Sequence, residues 1–358
     1  MGITGTLFGV YMSIGTFLFL TVVVQSLITL LSYVFRQADS TERMNHKVDV
    51  LIVGTNERLL KWVLQKWLSN SLISRIILVS PRDLQIENSK IIHVKDDNSG
   101  RANAINLGLR YVETEFCLLM DEDNYVTEDN ITRMLPYFKN QNVISVSPRM
   151  VPYSSKTMLD KLIQQERRVT EEYYQPFASS HGFGTFTGKG MLRTDPARKL
   201  SFNSIYLTED VDFSVRALRI GFNLMNSQAF AYELYPTGLR ALVKQRVRWS
   251  YGWMQVARKH LFRSNSLMTF FSLFMALIYP VLAFMFPFAM VLAFLGLQGT
   301  FFTSPLSIAL SSFTMLIPVV ITKRVDIVPF YWFLGFVSLW AALKRPRKYI
   351  VTDKKLIA

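Results

Sequence analysis

The chain has 358 residues, 50% of them hydrophobic, with 40 Lys and Arg against 26 Asp and Glu for a formal charge of +14. It is too apolar for an ordinary soluble protein of this size, so a membrane protein with one globular domain is expected. The positive charge brings no nucleic-acid motif with it. It suits the cytoplasmic side of a bilayer and phosphate-rich substrates, and nucleic acid is not expected as a partner.

Residues Ile3 to Phe35 are uncharged and mostly apolar, longer than the roughly 20 residues that span a bilayer. The run lacks the basic start and short apolar core of a cleaved signal, and 1–36 is expected to be a spanning helix. Arg36, Arg43 and Lys47 follow it, which places the next segment in the cytoplasm.

From 48 to 255 apolar strands alternate with amphipathic stretches. Val48 to Val53, Arg75 to Val79, Ile91 to Val94, Glu115 to Met120 and Val143 to Pro148 read as strands. Glu57 to Leu68, Arg101 to Tyr111 and Lys156 to Tyr174 read as helices. Such alternation predicts an α/β domain with a mainly parallel sheet covered by helices. Cys117, inside one apolar strand, is the single cysteine. It excludes an intrachain disulfide or a cysteine metal cluster and reads as core. The loop His181 to Gly190 carries four glycines; its spacing is not that of a P-loop, and it reads as substrate-facing.

Beyond 255 the apolar character returns. Leu267 to Leu297 and Phe301 to Thr322 are each long enough to span. Val325 to Leu343 has Lys323 and Arg324 before it and the basic tail 344–358 after it. Cytoplasmic charge at both ends favours an interfacial or re-entrant helix, as do Asp326, Pro329, Tyr331, Trp332 and Trp340.

The chemistry concentrates in four places. Asp121 and Asp123 end an apolar strand, where ligands collect in open α/β sheets, and two carboxylates so spaced offer hard oxygen ligands for Mg²⁺ or Mn²⁺ shared with substrate phosphates. Arg101 opens a helix in the run G-R-A-N-A-I-N-L-G-L, where amides and the helix dipole favour phosphate. T-E-D at Thr208, Glu209 and Asp210 begins a helical pattern and alone reads as an N-cap with first-turn acids. Q-R-V-R-W, from Gln245 to Trp249, gathers an amide, two guanidinium groups and an indole on one helix; alone it reads as a basic face beside a membrane.

The order D-x-D, T-E-D, Q-x-x-R-W between membrane segments, with the opening V-D-V-L-I-V-G-T-N-E and the G-R-A-N-A-I-N run, resembles the membrane-integrated family 2 glycosyltransferases. That group contains the cellulose, chitin and hyaluronan synthases. The resemblance implies a GT-A type fold flanked by transmembrane helices and an inverting transfer from a nucleotide-sugar, a UDP-sugar in the first instance. It implies metal binding by Asp121 and Asp123, a general base at Asp210 with Glu209 beside it, diphosphate contacts from Gln245 and Arg248, and an acceptor site at Trp249 and Thr208. Thr55, Glu57, Asp97 and Arg101 match nucleotide-site positions. Lys348 to Lys354 is similar to the gating loop of cellulose synthases, with Thr352 and Lys354 at its matching positions; the other reading of the tail is a basic membrane anchor. The acidic D-D-G-S element expected after the second strand is absent: Val79, Ser80, Pro81 and Arg82 stand there.

The acceptor is expected to be a growing β-linked polysaccharide, with a polyprenyl-phosphate or other lipid acceptor as the rival. A non-catalytic scaffold binding nucleotide or glycan is the rival from another class. Few spans leave little protein to enclose a polymer, which an oligomer or a short product would ease.

Overall fold

The structure, a computed structural model, describes residues 24, 27–35, 41–84, 86–294 and 316–346. The N-terminal span falls largely outside these residues, as does the first part of the span expected at Phe301 to Thr322. Thr352 and Lys354 lie outside them altogether.

Four strands form the parallel half of the sheet: β1 (Val48–Val53), β2 (Ile73–Ser80), β3 (Ile91–Lys95) and β4 (Phe116–Asp121), in the order β3-β2-β1-β4. The helices α1 (Glu57–Leu68) and α2 (Arg101–Leu109) cover its two faces. Both faces of β1 and β4 are therefore buried, which is why their sequences read as unbroken apolar runs. Leu60, Val63, Leu64 and Trp67 of α1 pack on one face. Ile105 and Leu109 of α2 pack on the other.

The second half is mixed. β7 (Gly190–Arg193) runs antiparallel to both β4 and β6 (Val143–Pro152), β6 runs parallel to β8 (Asn223–Glu233), and β5 (Asn124–Val126) pairs antiparallel with β8 at the edge. β5 follows β4 directly in sequence yet stands at the far end of the strand order β3-β2-β1-β4-β7-β6-β8-β5. The sheet must roll for this to happen, and Tyr125 of β5 comes back to meet Trp62 of α1. The short helix α3 (Glu128–Met134) follows β5.

The helix expected over Lys156 to Tyr174 is broken into parts. α4 (Met158–Arg167) starts from a capping box between Thr157 and Asp160, turns π-helical over Arg168–Tyr174, and resumes as α5 (Gln175–Ser180). The wider turn seats two acids against β6: Glu171 accepts from the Met150 amide at 2.6 Å, and Glu172 accepts from Arg149 at 2.9 Å. Tertiary pairing overrides the local period here.

After β7 come α6 (Thr194–Leu200) and α7 (Glu209–Arg219), and after β8 the long α8 (Leu239–His260). α8 packs against α9 (Leu267–Phe294) and α10 (Ile327–Lys344), and α10 also meets α4. Ile327, Phe330 and Leu334 of α10 join Ile163, Tyr235 and Leu242 in one apolar cluster, which docks the apolar helices on the sheet domain. Among the described residues α10 is the helix long and apolar enough to cross a membrane.

α2 approaches the sheet most closely at Gly108, where a Cβ would lie 2.2 Å from Leu51 Cδ1 and 2.8 Å from Val79 Cγ2. Gly108→Ala is expected to destabilise the domain by about 1–3 kcal/mol through overpacking, read as a lowered midpoint in denaturant or thermal unfolding.

Candidate active site

Three chain segments far apart in sequence converge beyond the carboxyl end of β4. Arg101, the first residue of α2, donates from Nε to Asp121 Oδ1 at 2.9 Å and from Nη2 to the Gly188 carbonyl at 2.7 Å, and its Nη1 pairs with Glu209. Its side chain is 11% exposed, so these bonds form largely out of water, where charge-assisted pairs are strong but need full satisfaction. One guanidinium thus ties the D-x-D acids, the glycine loop and the T-E-D helix together.

Asp121 also faces Lys189 Nζ at 3.6 Å, and Lys189 in turn donates to Glu233 at 2.5 Å. Glu233 pairs on its other oxygen with Arg167 at 2.8 Å. Asp123 is buried, and its Oδ1 accepts from Asn124 Nδ2 at 2.9 Å. Glu122, the middle acid, turns the other way: its Oε2 accepts from the amides of Thr55 at 2.5 Å and Asn56 at 2.7 Å, fixing the loop between β1 and α1.

Thr208 occupies the N-cap position of α7, but its side chain makes no capping bond. The hydroxyl is buried without a hydrogen-bond partner among the described residues, against Gly252 of α8, where a Cβ would lie 2.5 Å from Thr208 Cγ2. The capping account of T-E-D therefore fails for Thr208, whose side chain packs against α8 instead. Asp210 Oδ1 accepts from the Val211 amide at 3.0 Å, and Gly188, at φ +76°, brings its backbone against Asp210 Oδ2. A side chain at position 188 would block that carboxylate as well as strain the turn. Burial pushes the Asp210 carboxyl up to about 6; neighbouring Glu209 pushes the same way, and Arg101 and Arg248 pull against both. Two residues on, Asp212 is fully buried and is held by Arg216 at 2.7 Å and His260 at 3.0 Å, which locks α7 to α8.

α8 delivers the remaining residues. Gln245 is buried, and Arg248 donates to the Leu207 carbonyl at 3.3 Å, next to the T-E-D turn. The Trp249 ring has two guanidinium groups near it, Arg246 at 4.4 Å and Arg167 at 5.7 Å from its centroid. Arg246 is itself paired with Glu166 at 2.6 Å.

The nucleotide-site candidates are less gathered. Thr55 offers its backbone to Glu122, Glu57 is exposed and pairs with Lys61 at 2.7 Å on its own helix, and Asp97 accepts from the Ser99 amide at 3.1 Å in its own turn. Arg101, Asp121, Glu209 and Asp210 form one cluster; Glu57 and Asp97 make only local bonds. Residues that sequence reasoning passed over are Glu122, Gly188, Lys189, Glu233 and Arg167. Glu122 stood in plain view inside D-E-D, and Lys189 inside the glycine loop, but nothing in their spacing told them from solvated charges.

Asp121 and Asp123 present carboxylate oxygens, the donor type that a hard divalent cation takes. No group of three or more His, Cys, Asp or Glu ligands comes together among the described residues. The donor set fits an ion that completes its shell from phosphate oxygens rather than from protein.

Comparison with known proteins bears on the whole arrangement. Over a stretch of 190 residues the chain is 28% identical to a poly-beta-1,6-N-acetyl-D-glucosamine synthase of Staphylococcus aureus (strain COL), which is 49% of this chain and 44% of that protein. The match thus spans less than half of the relative's length. The mannosyltransferase PcManGT from Pyrobaculum calidifontis, solved with GDP-Man and Mn²⁺, superposes with a TM-score of 0.61 over 92% of this chain and 98% of its own, at 14% identity. That likeness shows the fold alone. The family described as glycosyl transferase family group 2 matches residues 116–344, from β4 with its acids through the T-E-D helix to the end of α10. The chain belongs to that family and is a glycosyltransferase.

Proposed function

We propose that the protein is a membrane-bound inverting transferase that moves a hexose from a nucleotide-sugar, a UDP-sugar, onto a growing glycan. In this reading residues 48–255 are the catalytic domain on the cytoplasmic face and 256–343 are interfacial and transmembrane helices. The observation that carries it is Arg101 bridging Asp121 to Glu209 and to the Gly188 carbonyl, beside Asp210. One guanidinium thus holds an acid of the D-x-D pair and the T-E-D turn that carries the base candidate. Glycan extension is supported by the likeness to a polysaccharide synthase and by an indole at the site, which offers a sugar ring an apolar face.

The acceptor hydroxyl attacks the anomeric carbon from the face opposite the diphosphate, and Asp210 takes its proton as the new C–O bond forms and the bond to phosphate breaks. The configuration inverts in that single step. Its raised pKa makes Asp210 a stronger base than a surface aspartate. Arg101 pairs with Glu209 and so leaves Asp210 as the acid available for proton transfer. Arg248, and Gln245 one turn earlier on the same helix, hold the leaving diphosphate, where negative charge grows in the transition state. A divalent ion on Asp121 and Asp123, when bound, adds charge neutralisation at the same oxygens.

Asp210→Asn is expected to lower sugar transfer by about 10²–10⁴-fold with nucleotide-sugar binding retained, measured on purified protein; untouched transfer would remove the base assignment. With Asp210 titrating at about 6, the base is neutralised as pH falls, so kcat/KM should drop on the acid side below pH 6 and level off above it. A pH–rate profile flat through that region contradicts the assignment. Chelation should abolish turnover and added Mg²⁺ or Mn²⁺ should restore it, whereas full activity in chelator would take Asp123 out of its role.

A further inference from the structure

In the reading above, α7 carries the base candidate and α8 carries the residues for the diphosphate and the acceptor, so transfer depends on how these two helices sit against each other. One attachment lies at the start of α7. Arg248 donates to the Leu207 carbonyl at 3.3 Å, Gln255 accepts from the Leu207 amide at 3.2 Å, and Gly252 lets the Thr208 side chain close on α8. Val211 and Val215 pack on Val256 and Ala257 beyond it. Apolar packing of this kind holds the helices together but has no direction, so it does not fix their angle.

A second attachment does. Asp212 is fully buried and both its oxygens are taken: Oδ2 accepts from Arg216 Nε at 2.7 Å, and Oδ1 accepts at 3.0 Å from Nε2 of His260, the last residue of α8. Arg216 is fixed in turn by the carbonyls of Leu200 at 2.6 Å and Ser201 at 2.7 Å, at the end of α6. His260 is buried too, and its Nδ1 has no hydrogen-bond partner among the described residues, so the bond to Asp212 is the one that orients the ring. A buried acid held this way is a poor device for stability, since apolar side chains of similar volume often serve as well or better. The best-attested use of such pairs is a fixed register. Thr208 meets Gly252, and Asp212 meets His260 about 12 Å further along α8; two points so spaced set a crossing that one cannot.

We infer that His260, through Asp212, is a positioning residue for sugar transfer, which sets the crossing of α7 and α8 and so the placement of Asp210 against Arg248 and Trp249. The inference rests on the transferase reading for the roles of those three residues. His260 itself lies about 16 Å along α8 from Trp249 and acts through the helices rather than on the substrate.

The test compares His260→Gln with His260→Asn in the full chain in detergent. Both put an amide at 260, but Gln Nε2 lies as many bonds from the backbone as the imidazole Nε2 and reaches Asp212, whereas the Asn amide ends one bond short. The donor is whichever of UDP-glucose, UDP-N-acetylglucosamine and GDP-mannose wild type turns over, with a β-linked oligosaccharide of the same sugar as acceptor. Transfer and donor hydrolysis are measured on one sample, because their ratio does not depend on how much of the protein is folded. His260→Asn should lower that ratio about 10- to 100-fold, the scale of a misplacement of about 1 Å, with donor affinity by calorimetry within about twofold of wild type. His260→Gln, which keeps the hydrogen bond, should hold the ratio within about threefold. His260→Leu fills the space without a donor, and the same loss is expected of it if the Asn variant does not accumulate. A ratio unchanged in Asn or Leu overturns the inference, since a merely structural histidine lowers transfer and hydrolysis together. A fall in Gln as deep as in Asn overturns it as well. If none of the three variants folds, His260 serves stability and the inference falls. A wild type that transfers none of the three sugars removes the transferase reading itself, a result distinct from any change of ratio among the variants.

Discussion

The site depends on one desolvated cation. Arg101, at the start of its helix, satisfies a carboxylate on β4, a carboxylate on α7 and a carbonyl in the glycine loop. Without it Asp121, Glu209 and Asp210 would crowd three negative charges into a partly buried space, which like-charge repulsion and desolvation both oppose. Lys189 repeats the device on the other oxygen of Asp121. The acids are therefore held in place by fixed positive charge.

A second layer extends from this pair toward α8. Lys189 leads to Glu233, Glu233 to Arg167, and Arg167 to both Glu171 and the Trp249 ring. The acid at the end of β4 and the indole on α8 share a continuous run of ion pairs and ring contacts. The π-helical turn serves the same end, since it seats Glu171 and Glu172 against β6 and so fixes the helix that carries Arg167.

The first half of the fold was legible because its strands are buried on both faces and its helices are amphipathic. β1 and β4 read as apolar runs, and α1 and α7 as helical periods, because burial and sequence agree there. β8 escaped notice because its middle, Asn226, Ser227 and Gln228, looks like a loop. Those side chains are buried, with Asn226 bonded to the Thr185 carbonyl at 3.2 Å and Gln228 to the Glu172 carbonyl at 3.0 Å. β5 and β7 are too short for a period to show. In the site, Asp121, Arg101 and Asp210 could be named from motif order, while Lys189 and Glu233 could not, because their meaning lies in a pairing 44 residues apart in sequence.

The middle acid of D-E-D has a kinetic meaning. Glu122 reaches the Thr55 and Asn56 amides across 67 and 66 residues of chain, and Arg101 reaches Glu209 across 108. Closing loops of this length is paid in chain entropy before any contact returns it, so such contacts form late. A chain part-way through synthesis, with β1 made and α7 still to come, has Thr55 and Asn56 but lacks Glu209 and Asp210. The cluster around Arg101 is then complete only once α7 has been made and docked.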